Sequence, residues 1–302
     1  MYRVAWVFAL LLAACSDPGS GGYQLAARFG GPGEAPGQFR DPTGIAVNST
    51  EVFVADARNA RIQVFDHDGH FRRQFGHEVL KRPMNLALAG DELFVPDYFE
   101  DAVFVFGLDG ATHGVVRPQN ERLNSPGGVA VRRDGSLLVA DTYAHRIVQF
   151  TRAGRVLRIW GTSGKKGIRA ERFNYPTDVA VTPDGGFVVA DGYNDRLQLF
   201  GPDGRFLRKW GGPLALNVSG SRPGWFATVS SVAVAADGTI YASDFFNRRV
   251  QAFSADGVLR AVVPLAESEA GAGPTGVAVS SGGEFFVSYL PRNEVQIWRS
   301  PP

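Results

Sequence analysis

Pro176-Thr177-Asp178-Val179-Ala180-Val181 opens a unit of four short runs. The second ends in Val189-Ala190-Asp191, the third is Arg196-Leu197-Gln198-Leu199-Phe200, and the fourth is Phe206-Leu207-Arg208-Lys209-Trp210-Gly211. Asp184-Gly185 separates the first pair and Asp203-Gly204 the last pair. Asp-Gly between apolar runs is a strong hairpin signal, because the favoured tight turn needs positive φ at both central residues. Four strands joined by such turns form one antiparallel sheet, the unit of a propeller blade.

The opening block recurs as Pro42-Thr43-Gly44-Ile45-Ala46-Val47, Pro83-Met84-Asn85-Leu86-Ala87-Leu88 and Pro126-Gly127-Gly128-Val129-Ala130-Val131. It returns as Val229-Ser230-Ser231-Val232-Ala233-Val234 and Pro274-Thr275-Gly276-Val277-Ala278-Val279. The six starts lie 41, 43, 50, 53 and 45 residues apart. A period of about 40–50 residues with strand-like content indicates a propeller or an array. The helical spacing of apolar residues that a helix solenoid requires does not occur.

The last unit stops at its third strand, Val295-Gln296-Ile297-Trp298, while the fourth-strand pattern stands at the other end as Leu25-Ala26-Ala27-Arg28-Phe29-Gly30. The sequence therefore predicts an all-β, six-bladed β-propeller of four-stranded antiparallel blades over residues 23–302, closed by an N-terminal strand, 23–30, that completes the last blade. Closure pairs an edge that would otherwise template aggregation.

Composition agrees. Gly at 37 and Pro at 18 of 302 residues suit many turns, and 44% hydrophobic with 20% charged residues suits a folded globular chain. A net charge of +1 excludes polyelectrolyte binding to nucleic acid as the main task. With one cysteine, no intrachain disulfide forms.

That cysteine closes an address. Arg3 is followed by an unbroken apolar run from Val4 to Ala14, too short to span a bilayer and of the length of a secretory signal. Leu12-Ala13-Ala14-Cys15 resembles the lipobox of bacterial lipoproteins. The resemblance implies a signal peptide over 1–14, lipidation of Cys15, a tether over 15–22, and a lipid-anchored protein of the bacterial cell envelope facing the periplasm or exterior. A generic signal peptide with an incidental cysteine is the plainer alternative.

Gly37-Gln38-Phe39 through Val47, Val54-Ala55-Asp56, and Asn59 through Phe65 together resemble NHL repeats, and the likeness runs over about residues 23–298. The second unit departs most, with Pro96 before Asp97 and Ala102 in place of the arginine. The sixth has Ser288-Tyr289 where Ala-Asp is expected.

Asp56/Arg61, Asp141/Arg146, Asp191/Arg196 and Asp244/Arg249 share a spacing of five. These residues face each other across a short loop, in a geometry that suits bidentate pairing. Repetition in several blades marks the pairs as structural, since chemistry singles out one blade or two. Function is then expected where the blades differ. The loops after the second strands supply Arg58, Tyr98, Phe99, Tyr143, Tyr193, Phe245 and Phe246, and the longest inter-blade loops supply Lys165, Lys166 and Trp225. Rings flanked by cations suit a protein, peptide or glycan. The competing expectation is that the rings fold inward and plug the channel.

Pro176 to Val181 and Asp191-Gly192-Tyr193-Asn194 also resemble peptidyl-α-hydroxyglycine α-amidating lyase, a six-bladed relative in which a tyrosine at the position of Tyr193 belongs to the active site. The resemblance places that family's zinc histidines just after the proline that opens each first strand. Those positions hold Thr43, Met84, Gly127, Thr177, Ser230 and Thr275, none of which supplies an imidazole. His67, His70, His77, His113 and His145 lie elsewhere, with His67 and His70 on the opposite face and His145 expected at the surface. No catalytic residue and no metal ligand is assigned. A structural calcium held by channel carbonyls would leave no mark in the sequence.

NHL propellers of tripartite-motif proteins bind single-stranded RNA on a basic face, but an export signal argues against nucleic acid here. Similar propellers form sensor ends of bacterial kinases. The sequence thus points to a monomeric, non-catalytic binding or scaffold module, attached to the membrane through its lipid alone. The alternative is a lyase or hydrolase at the channel mouth, with or without a metal.

Overall fold

The computed structural model describes residues 19–265 and 272–300. The signal peptide, Cys15 and the start of the tether lie outside these residues. The chain forms six four-stranded antiparallel sheets. Blades 1 to 5 span residues 42–75, 87–116, 126–161, 176–210 and 229–264. Blade 6 combines three strands within 274–299 with Gln24–Gly30, which pairs antiparallel with Glu294–Arg299. The closure expected from the sequence is present.

Apolar residues on the two sides of each blade meet those of the next. Phe53, Ile62 and Val64 of blade 1 pack with Leu93, Phe104 and Phe106 of blade 2, and Ile45, Val54 and Phe65 pack with Phe286, Val295 and Ile297 of blade 6. Equivalent layers join every other neighbouring pair. The core is therefore a ring of inter-blade layers, and the innermost strands surround a central channel. Where that channel narrows, glycine permits close approach. A Cβ on Gly276 would lie 2.3 Å from the Thr43 carbonyl oxygen, and one on Gly44 would lie 2.3 Å from that of Met84.

One local expectation is corrected. The first strand of blade 2 covers only Ala87–Ala89 rather than the whole block from Pro83. Pro96 faces the missing part and has no N–H to donate to the ladder. Residues 19–22 lie beside blade 5: the N–H of Val262 donates to the Gly19 carbonyl at 2.9 Å, and a turn brings Tyr23 N to the Ser20 carbonyl at 3.2 Å.

Candidate functional site

The loop between second and third strands is short because it is strapped from below. Asp56, Asp141, Asp191 and Asp244 are fully buried. The Nε of Arg61, Arg146, Arg196 and Arg249 donates to the carboxylate at 2.7 Å in all four blades. The pairing is not bidentate, because the other guanidinium nitrogens go to backbone carbonyls and, for Nη1 of Arg61 and Arg146, to the side chains of Gln74 and Glu121. In blade 5, Nη2 of Arg249 reaches the carbonyls of Arg222 and Trp225 at 3.0 and 2.8 Å. The second carboxylate oxygen accepts a loop N–H, that of Asn174 at 2.8 Å for Asp191. Asn194 and Gln198 complete the cluster on Asp191 at 2.9 and 3.0 Å, and Asn247 and Gln251 do so on Asp244. In blade 2, where Ala102 replaces the arginine, Asp97 instead accepts the N–H groups of Lys81, Arg82, Phe99 and Glu100. These carboxylates hold loops in place.

Above them a second device links blade to blade. The hydroxyls of Thr43, Thr177, Ser230 and Thr275 donate to the carbonyls of Pro83, Val229, Pro274 and Pro42 at 2.9, 2.8, 2.6 and 2.6 Å. Thr142 serves where blade 3 has Gly127, donating to Pro176 at 2.8 Å. This is the level at which zinc ligands would stand in the lyase family. No imidazole, thiol or carboxylate stands among the residues of this level, so they do not fit a zinc site. Its methyl groups, with Met84, Tyr98 and Phe245, enclose a cavity of about 160 Å3 at the channel mouth.

Deeper in the channel, Asp178 is the buried ionisable group of the innermost strands. It accepts from the Ser231 hydroxyl at 2.7 Å, from Val232 N at 3.0 Å and from Val179 N at 2.9 Å. Burial pushes its carboxyl up to about 7 despite these bonds.

The aromatic residues converge. Phe99, Tyr98, Tyr143, Tyr175 and Tyr193 form a chain of contacts over blades 2 to 4, with successive ring centroids 5.2, 5.7, 5.0 and 5.1 Å apart. Phe245 and Phe246 form a separate pair on blade 5 at 4.9 Å. Tyr193 and Phe246 are 57% and 55% exposed. Tyr98 and Phe245 turn inward over the cavity while their neighbours stay exposed, so the rings both close the channel and present a face. Burial and the adjoining Tyr143 phenol push Tyr98 up to about 12, which keeps it protonated.

Tyr175 was not expected from the sequence. It sits at φ 49° just before Pro176, and its N–H donates to Nδ1 of His145 at 3.1 Å. Its ring packs edge-on to that imidazole at 4.5 Å. His145 is therefore not a surface residue: it is 8% exposed, and burial and then the Lys166 charge lower its pKa. The available signal was positional, since Ser125 and Thr228 occupy the same slot and donate to Asp101 and Asp195.

The other expected residues lie on neighbouring loops. Arg58 pairs with Asp41 at 3.4 Å in a groove between blades 6 and 1. Lys165 and Lys166 are exposed on the loop of blades 3 to 4. Trp225 lies half-buried under Arg222, whose guanidinium is 5.6 Å from the ring centroid. His67 contacts the Asn48 carbonyl at 2.9 Å, His113 contacts Glu92 at 3.0 Å, and His77 is exposed. Asp66, Asp68 and His70 cluster at the opposite face, where Asp66 is occupied by the N–H groups of Asp68 and His70 and by Arg72. That cluster fixes a turn.

Residues 39–65, 123–150 and 173–200 match the NHL repeat family. The chain is 32% identical over 146 residues to protein brain tumor of Drosophila melanogaster, covering 45% of this chain and 14% of that protein. Over 48 residues it is 50% identical to the B-box type zinc finger protein ncl-1 of Caenorhabditis elegans, covering 16% of this chain and 6% of that one. The chain thus spans a small part of these relatives. Among solved structures, a streptogramin B lyase superposes with TM-score 0.64 at 12% identity, covering 92% and 97% of the two chains. A gluconolactonase from Xanthomonas campestris superposes with TM-score 0.66 at 16% identity, covering 87% of each. A structural genomics protein of unknown function from Bacteroides thetaiotaomicron gives TM-score 0.69 at 16% identity, covering 90% and 76%. At such identities the likeness is one of fold.

Proposed function

We propose that this six-bladed propeller, built with NHL repeats, is a non-catalytic binding module whose ring-bearing face takes a protein partner. The observation that carries this is the contact chain from Phe99 to Tyr193 with the Phe245–Phe246 pair beside it. Rings that already pack on one another lose little freedom on binding, and exposed aromatic clusters are where interface energy concentrates. NHL propellers commonly bind proteins, which supports the same reading. The apolar run before Cys15 favours an exported, lipid-anchored protein in the cell envelope, tethered beside blade 5, where Gly19 meets Val262.

Crosslinking in intact cells tests the proposal. Wild-type protein should give a discrete crosslinked partner, and the Tyr193→Ala/Phe246→Ala double variant should lose it while remaining folded. Unchanged partners would remove this face from consideration. A stoichiometric transition metal in the purified protein would instead favour a lyase or hydrolase at the channel mouth.

A further inference from the structure

The cavity under Tyr98 and Phe245 has one feature that its lining does not explain. The hydroxyls of Thr43, Thr142, Thr177, Ser230 and Thr275 are committed to neighbouring carbonyls, so what faces the space is methyl, methylene and aromatic carbon. Asn85 is the exception. It replaces the small or acidic residue found at this depth in other blades, and it lines both the mouth cavity and the channel below it. It is 7% exposed, and its Oδ1 has no hydrogen-bond partner. An unpaired buried amide oxygen destabilises a fold, and of the unpaired amides only that of Asn85 belongs to a residue lining this cavity, where a bound group can complete it.

Size and polarity narrow the ligand. The cavity measures about 160 Å3, while an apolar cavity of about 150 Å3 accepts a benzene ring. One six-membered ring therefore fits, and no second ring does. Among the described residues no charged side chain lines the space, so an ionised tip would be desolvated without a partner. A neutral hydroxyl carried by the ring can pair with the Asn85 amide while the ring rests among the methyls. From this juxtaposition we infer that the cavity is an anchor pocket for a phenol, the side chain of a tyrosine presented by the protein partner. The identity of the partner segment rests on the face proposed above; the preference for a phenol does not.

Titration of the full chain with p-cresol and with toluene, followed by NMR, tests the inference. Wild-type protein should bind p-cresol saturably and at least about tenfold more tightly than toluene, a ratio worth about 1.4 kcal/mol. Asn85→Leu should erase that preference while leaving toluene binding intact and thermal stability equal or higher, because it removes an unpaired buried amide. Saturable p-cresol binding by wild type in the absence of any crosslinked partner would mark failure of the face alone, whereas loss of p-cresol binding would mark failure of the pocket. Equal binding of the two probes by wild type, or a preference surviving in Asn85→Leu, would overturn the role of Asn85. Failure of both probes to bind would overturn the pocket.

Discussion

Tyr98 and Phe245 stand on opposite blades of the ring, 2 and 5, and line the same cavity over its axis. Side chains from opposite walls meet there because the channel is narrow, and the channel is narrow because small residues line the first strands. An arrangement assembled from repeated parts is thus finished by residues found in single blades. Truncating both, as Tyr98→Ala/Phe245→Ala, should open the channel mouth and raise its accessibility to solvent. Hydrogen exchange of the innermost strands should show faster exchange at Leu86 and Val232 than at core positions between blades.

The strap under each loop predicts a stability effect without a binding effect. Asp191 and Arg196 are both fully buried, so Asp191→Ala strands a buried guanidinium and should cost about 3–5 kcal/mol. Urea unfolding measures this. Partner capture under native conditions should be nearly unchanged; a stable Asp191→Ala protein that no longer binds would show that the carboxylate has a part in recognition.

The hydroxyl latches should each stabilise the ring modestly. Thr275→Val keeps the shape of the side chain but removes the bond to Pro42 that joins blade 6 to blade 1. The loss should be about 1–2 kcal/mol by denaturant titration, since a buried carbonyl is left unpaired. A neutral substitution would mean that the apolar layer between blades 6 and 1 and the Gln24–Gly30 strand hold the closure without this bond.

Asp178 makes stability depend on pH. Its carboxyl is raised from 3.8 to about 7 in the folded protein, so the folded state holds a proton that the unfolded chain has released. Its contribution is complete below about pH 4 and is lost as pH rises to about 7, on the order of 4 kcal/mol in all. Asp178→Asn should flatten this part of the profile. The same change in stability between pH 4 and pH 7 in wild type and in Asp178→Asn would contradict the assignment.

His145 works in the other direction. Its pKa is lowered by burial, and its Nδ1 must be unprotonated to accept from Tyr175. The contribution is present above about pH 6.5 and is lost as pH falls through the lower folded value. The imidazole resonances and the Tyr175 amide should titrate together by NMR. Independent titration would separate the histidine from the tyrosine it holds.

Much of this was legible before any coordinates. The recurrence of the Ile-Ala-Val block, together with the displaced Leu25–Gly30 strand, specified six blades and their closure because hairpin turns and strand patterns are local signals. The Asp/Arg spacing marked the straps, although the fuller pattern that adds Asn194 and Gln198 was equally available in the sequence. Tyr98, Tyr143 and Tyr193 could be placed on one face because they follow equivalent strands. Tyr175 carried only the positional signal it shares with Ser125 and Thr228, and its contact with a histidine of the previous blade rests on a backbone N–H that leaves no mark in the sequence. Asn85 was also hidden, because an unpaired amide becomes visible only when its surroundings are known. The short first strand of blade 2 reflects Pro96 on the partner strand, an effect that pattern alone within the strand does not carry.

A photo-crosslinking amino acid placed in turn at Phe246 and at Val258 tests the central claim most directly. Both positions are exposed, at 55% and 52%, and they lie at opposite ends of their blade. A discrete crosslinked protein from position 246 and none from 258 is the predicted result. Crosslinks from 258 with none from 246 would place recognition on the other face and contradict the account.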